Sequence, residues 1–230
     1  MSFQFAEGEI LLINKPFTWT SFDVVNNLRL FLKRELNIKK IKIGHAGTLD
    51  PLATGLLILC TGKFTKKIEE FKEFDKEYTG VFTLGATTPS FDLETAANRQ
   101  FPADHITGKM ILEMAERFTG KQMQVPPQFS AVKIQGRRAY DYARQNEEVK
   151  LAPKPIELSA FEITQSDMPE VHFRIACSKG TYIRAIARDF GAALKSGAYL
   201  SALSRTRIGP YHLRDAWELE NLKEHLLQTD

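Results

Sequence analysis

Residues 44–60 read GHAGTLDPLATGLLILC, an irregular stretch that runs without a break into five apolar residues. Three glycines and a proline supply backbone angles that neither a helix nor a strand provides, so 44–55 is expected to be a loop. LLILC, residues 56–60, has no polar alternation and reads as a buried strand. The chain must therefore hold an irregular loop against the end of a strand inside its core. Asp50 is the single carboxylate of that loop. In isolation such an aspartate is either a turn former, accepting hydrogen bonds from nearby backbone, or a catalyst, and the local sequence leaves both open.

The remainder of the chain sets bounds on the fold. With 230 residues, 43% of them hydrophobic, it can bury one large core or two small ones. No run approaches the ~18–20 apolar residues of a membrane span. The start, MSFQFAEGEI, has no basic region followed by an apolar segment, so no signal peptide is expected. Cys60 and Cys177 lie in apolar, strand-like surroundings and read as buried reduced thiols. A soluble cytosolic protein is the expectation.

The net charge of +3 is too small to indicate a partner, but its distribution is informative. KRELNIKKIK (33–42) holds five basic residues, KFTKK (63–67) three, and KIQGRR (133–138) and SRTR (204–207) form further groups. Separated basic patches on a near-neutral chain suit a polyanion touching several points, although each patch alone also suits a solvated face.

Periodicity predicts strands at 8–14, 56–60 and 77–86. A helix from Thr20 or Ser21 carries Val24, Val25, Leu28, Phe31 and Leu32 on one face. A short amphipathic helix is expected at 66–74, a loop at 87–102 and a capped helix at 107–118. Residues 123–144 run from a Pro-Pro kink into a strand and a short basic helix. Two strands joined through Pro169 occupy 156–178. A helix at 181–194, a strand with its exit turn at 200–211 and a helix at 215–227 complete one mixed α/β domain. An excursion is expected at about 120–150.

Few chemistries fit. The five histidines are scattered and no HExxH or CxxC pair occurs, so no metal is expected. GxxxxGK[ST], GxGxxG and GxSxG are absent. Asp50 remains, and a carboxylate working as nucleophile or base needs a partner that keeps it ionised. SKGTYIRAIARD offers Arg184, whose planar fork can hold a carboxylate through two bonds.

GHAGTLDPLATGLLILCTGKFTK closely resembles the signature of the TruB family of tRNA pseudouridine-55 synthases. INKPFTWTSFDVV (13–25), DKEYTGVFTLG (75–85), VPPQFSAVKIQGRRAYDYAR (125–144), CSKGTYIRAIARDFG (177–191) and LSALSRTRIGPY (200–211) follow in the family's order. The resemblance spans residues 8–215. It implies an α+β fold, a mixed α/β pseudouridine-synthase-like domain whose central, largely antiparallel sheet is flanked by helices. The implied activity is isomerisation of the T-loop uridine of tRNA, position 55, to pseudouridine, with base flipping and without cofactor or metal. The family is argued to proceed by attack on C1′ or through a glycal, and the sequence does not choose between them.

By the same resemblance Asp50 is the essential acidic residue, Arg184 the arginine that ion-pairs with it, and Tyr78 the aromatic that stacks on the target base. His45 matches a histidine that contacts the everted T-loop region, Tyr182 and Leu203 match substrate-pocket positions, and Lys15 matches a lysine supporting the site. Lys133, Arg137 and Arg138 fall in the RNA-clamping excursion. The implied partner is the tRNA T-arm, with no membrane and no obligate protein partner. Two departures stand out. Thr18 replaces a glycine common after KP-x in the family, and the small C-terminal RNA-binding domain of many bacterial relatives is expected to be missing. A non-catalytic tRNA-binding or folding chaperone on the same scaffold is the alternative, as is a guide-RNA-dependent relative.

Overall fold

A computed structural model describes residues 3–228 except 39, 131, 135, 146 and 148, with the side chain of Arg138 also outside the description. The chain divides into two compact units, Met1–Tyr78 with Leu203–Asp230, and Thr79–Ala202. The main strands are β1 (Ile10–Lys15), β2 (Ile43–Ala46), β3 (Ala53–Thr61), β4 (Lys76–Leu84), β5 (Gly120–Gln124), β6 (Lys154–Asp167), β7 (Glu170–Cys177) and β8 (Ala198–Ile208). The helices are α1 (Ser21–Arg34), α2 (Ile68–Glu73), α3 (Gly108–Phe118), α4 (Ala139–Ala143), α5 (Ile183–Ala193) and α6 (Leu219–Gln228). The fold is the mixed α/β type expected, with largely antiparallel sheet and helices against it.

In the first unit the strand order is Trp217–Glu218, β1, β3, β8, β4, with β2 added beside β3. β1 and β2 pair with β3 antiparallel, and β8 pairs with it parallel. β3 is apolar from Leu56 to Cys60 because both of its faces are covered there. Leu57 and Leu59 pack with Val24, Leu28 and Leu32 of α1 and Leu222 and Leu226 of α6. Leu56, Ile58 and Cys60 pack with Phe71 of α2 and Ile208. This is the pattern of a strand with no solvent side. α1 begins with a capping box: the Thr20 hydroxyl accepts from the Asp23 amide and the Asp23 carboxylate accepts from the Thr20 amide.

In the second unit the order is β8, β4, β7, β6, β5. Its core is aromatic. Phe82 stacks on Phe173 at 4.2 Å between ring centroids, and Phe161, Phe190 and Phe118 close around them. Such pairs add to what the buried area alone contributes. β6 and β7 form the long hairpin expected around Pro169.

Three expectations need correction. The loop expected at 44–55 spans only 47–52, because Ile43–Ala46 pairs antiparallel with Ala53–Thr61 and both ends of the glycine-containing stretch join the sheet. The final helix starts at Leu219, not 215, because Trp217 and Glu218 pair in parallel with Ile13 and Asn14 at the edge of β1. An added edge strand of two residues has no periodicity from which to be read. The loop at 87–102 contains a two-residue pairing of Ala86–Thr87 with Arg99–Gln100.

Thr18 adopts φ 70°, the left-handed conformation that glycine tolerates and threonine does not. The turn is thus kept without its usual residue. Gly55 shows the opposite case, with φ 103° and the position of a Cβ only 2.4 Å from the Arg205 carbonyl oxygen. Thr18→Gly is expected to raise stability by up to about 1 kcal/mol, since relief of strain is partly offset by the freer unfolded chain. Gly55→Ala is expected to lower it by roughly 2 kcal/mol or more. Urea unfolding of both variants checks the pair, and equal small effects would contradict it.

Candidate active site

The loop that carries Asp50 leaves β2 and enters β3. Irregular backbone must find hydrogen-bond partners outside a ladder, and here side chains from three elements supply them. The Arg205 guanidinium donates to Gly47 O at 3.0 Å and to Leu56 O at 2.8 Å. Ser21 Oγ accepts from the Leu49 amide at 2.9 Å and donates to Leu49 O. Lys15 Nζ donates to Pro51 O at 3.1 Å, Pro16 O at 2.8 Å and Trp19 O at 2.5 Å. Asp50 is thus the half-buried centre of a loop held at Gly47, Leu49 and Pro51. Its carbonyl accepts from the Ala53 amide, which closes the turn into β3.

Lys15 and Arg205 are among the most deeply buried side chains of the protein, 0% and 1% exposed. Burial pulls the Lys15 amine down to about 8; the nearby Asp50 carboxylate opposes that shift and Arg205 adds to it. From sequence alone, SRTR is one of the separated basic groups that suit a polyanion. The structure corrects this for Arg205, which points inward because β8 lies beside β3 and the loop carbonyls require its donors.

His45 lies in β2 opposite Leu59, with Nδ1 buried and without a hydrogen-bond partner among the described residues. Desolvation first and Arg205 second lower its pKa, which favours a neutral imidazole. Leu203 pairs with Ala53 in the β8–β3 ladder, and its carbonyl accepts from Thr54 Oγ1. Tyr78 is 9% exposed in β4. The first unit therefore gathers Lys15, His45, Asp50 and Leu203 around β3.

The second unit holds Arg184 in the first turn of α5, 5% exposed. Its guanidinium donates to Ser90 O at 3.0 Å and Phe129 O at 2.9 Å, and Nε lies 3.5 Å from Asp92 Oδ2. Tyr182 precedes that helix, and Gln124 grips its backbone, accepting from the amide at 2.9 Å and donating to the carbonyl at 3.2 Å. Lys133 is exposed in a small hairpin opposite Arg138. Arg137 donates to Asp141 O and lies 4.3 Å over the Tyr142 ring, so it braces the excursion locally. The side chain of Arg138 lies outside the described residues.

Asp92, Gln124, Ser21 and Arg205 escaped the sequence reading. Asp92 had one signal, a carboxylate inside the Ser/Thr-rich TTPSFDLET. Ser21 carries only the sequence signal of a helix start. Among the described residues no group of three or more His, Cys, Asp or Glu side chains is placed to hold a metal ion, and no helix is long and apolar enough to cross a membrane.

The lysine gives a pH prediction with a definite sign. The folded pKa of about 8 lies below the ordinary 10.5. Between those values the unfolded chain binds the extra proton, so stability should rise with pH across that window. Lys15→Met should be less stable than wild type by roughly 2 kcal/mol, having left buried carbonyls unmatched. The gap between the two proteins should widen from pH 8 to 10. Denaturant midpoints at pH 7, 8, 9 and 10 check this, and a gap independent of pH contradicts it.

A family model described as TruB family pseudouridylate synthase (N terminal domain) matches residues 33–183. The chain is 52% identical over 226 residues to tRNA pseudouridine synthase B of Phocaeicola vulgatus, covering 98% of this chain and 96% of that protein. It is 50% identical over 224 residues to the same-named protein of Flavobacterium johnsoniae, with 97% and 98% covered. It is 48% identical to that of Chlorobium luteolum, of which it spans 76%. Among solved structures, a chain of a Cbf5–Nop10–Gar1 complex matches with a TM-score of 0.73 and 27% identity over 96% of this chain. This chain spans 54%, about half, of that one. A chain from an H/ACA RNP bound to a substrate RNA agrees in fold, with a TM-score of 0.69 and 24% identity. The chain belongs to the TruB family of pseudouridylate synthases and is an isomerase of that class.

Proposed function

We propose that this protein converts the T-loop uridine of tRNA, position 55, to pseudouridine, everting the base from its stack and acting on it through Asp50. Its relatives are named tRNA pseudouridine synthase B, which supports pseudouridine formation in tRNA. The observation that carries the assignment to Asp50 is the pinned loop, whose backbone two buried cations hold at Gly47 and Pro51, one of them, Lys15, in electrostatic contact with the carboxylate. A turn-forming aspartate needs no such clamp.

The reaction breaks the C1′–N1 bond, forms C1′–C5 and, in net terms, moves a proton from C5 to N1. It conserves every atom, so no co-substrate is required. Asp50 acts at the ribosyl centre, by C1′ attack or sugar deprotonation, and Arg184 serves the same step. Tyr78 stacks on the base, offsetting part of the cost of flipping. Tyr182 and Leu203 shape the pocket for the flipped uracil and His45 contacts the everted T-loop, while Lys15 supports the loop from behind. The excursion at 120–150, with Lys133, Arg137 and Arg138, fixes the register of the T-arm through phosphates. We read the two units as one catalytic body working in the cytoplasm, in keeping with two buried free thiols.

Incubation with an unmodified tRNA transcript and mapping of pseudouridine tests this. One modification at position 55 is expected. Binding without modification would favour the chaperone reading instead. Asp50→Asn should lose turnover by roughly a thousandfold or more while tRNA affinity stays within a few-fold. Arg184→Lys should remain well below wild type, because lysine lacks the two-pronged fork. The Asp50→Asn and Arg184→Ala losses should be far from additive if the two serve one step. Single-turnover rates decide, and additive losses or an active Asp50→Asn would overturn the assignment.

A further inference from the structure

An open groove of about 580 Å³ lies beside the C-terminal half of α1, lined by Arg29, Lys33, Lys40 and Lys42 over a floor that includes Ile38 and Ile41. Arg29 and Lys33 are one helical turn apart on the same face. Past the helix, Ile38 and Ile41 pack against the core cluster of α1, β3 and α6, while Lys40 and Lys42 are exposed. Among the described lining residues none is acidic, and none of the four cations has an ion-pair partner among the described residues. A Lys33 near the helix end serves the helix dipole. Lys40 and Lys42 serve no helix terminus, and Arg29 and Lys33 repel each other at this spacing. The fold gains little from this concentration of charge.

We infer that this groove binds the phosphodiester backbone of the substrate tRNA, at a contact separate from the 120–150 excursion. Cationic walls match phosphates, and the apolar floor matches the ribose faces between them. The volume is that of a small-ligand site, enough for about one nucleotide at a time. The position fits the same RNA. Lys42 leads directly into β2, and the four residues of that strand carry the chain ~13 Å to the Asp50 loop. Arg29 ties the helix face to the start of β2 through a bond to Ile43 O at 3.3 Å.

This rests on the proposed activity only in its choice of RNA, and the test keeps the two apart. Lys33→Glu, Lys40→Glu and Lys42→Glu are combined, and the Kd for unmodified tRNA is measured at 50, 100 and 200 mM salt. The Kd should rise at least tenfold at 100 mM. The slope of log K against log salt should shrink by about 2–3, as expected for two or three lost phosphate contacts. The single-turnover rate at saturating tRNA should fall by less than the affinity. A control combining Lys109→Glu, Arg117→Glu and Lys195→Glu, all outside the excursion, carries the same change in net charge. Should the triple variant melt early, the glutamine versions replace it. A Kd within twofold of wild type, an equal loss in the control, or a wild-type protein that does not bind tRNA overturns the groove. Wild-type binding without pseudouridine formation overturns the proposed activity alone, and the groove is then still decided by the Kd comparison.

Discussion

Gly55 lies level with both buried cations of the first unit. In the β1–β3 ladder it pairs with Lys15, and in the β3–β8 ladder with Arg205. A side chain there would collide with the Arg205 backbone, so the strands come together at this level only because β3 presents none. Into that space two long cationic side chains reach back to the loop, one from each neighbouring strand. The consequence is a clamp at Gly47 and Pro51 set by sheet register. A slip of one residue in either ladder would carry its cation to the other face.

Burying two cations is costly unless each is hydrogen-bonded and some opposite charge is near. The five carbonyl acceptors of Lys15 and Arg205 meet the first requirement. The influence of Asp50 on Lys15 addresses the second, since the carboxylate favours the charged amine against its desolvation. Asp50 is therefore part of the charge balance of the fold as well as the proposed reacting group. That double use explains why a carboxylate occurs in an otherwise uncharged Gly/Pro loop.

What the sequence could reveal follows the range of each interaction. The buried β3, the capped α1 and α3 and the β6–β7 hairpin rest on local periodicity, caps and a turn, and all were legible. The resemblance brought Asp50, Arg184, Tyr78 and the pocket positions to notice. Arg205 was not legible as a buried group. Its neighbours Ser204, Thr206 and Arg207 are polar, and only the parallel pairing with β3 turns it inward. Asp92 and Gln124 escaped for the same reason. Their partners, Arg184 and the Tyr182 backbone, lie 92 and 58 residues along the chain, and no local pattern announces such contacts.

Each unit thus relies on a buried arginine to organise irregular chain. Arg205 joins Gly47 to Leu56 across the start of β3, and Arg184 joins Ser90 to Phe129 with Asp92 beside it. Arginine suits this use because its donors diverge in one plane and reach carbonyls on different segments at once. Lysine at either position would keep the charge but concentrate it at one point, and it cannot span both carbonyls in the same way. Lys15 shows where lysine does suffice: its three acceptors, Pro16, Trp19 and Pro51, converge on a single ammonium. The choice between the two cations is thus dictated by whether the loop carbonyls diverge or converge. Where they diverge, as around Arg205 and Arg184, the guanidinium also fixes the spacing of the segments it joins, and that spacing sets the shape of each loop.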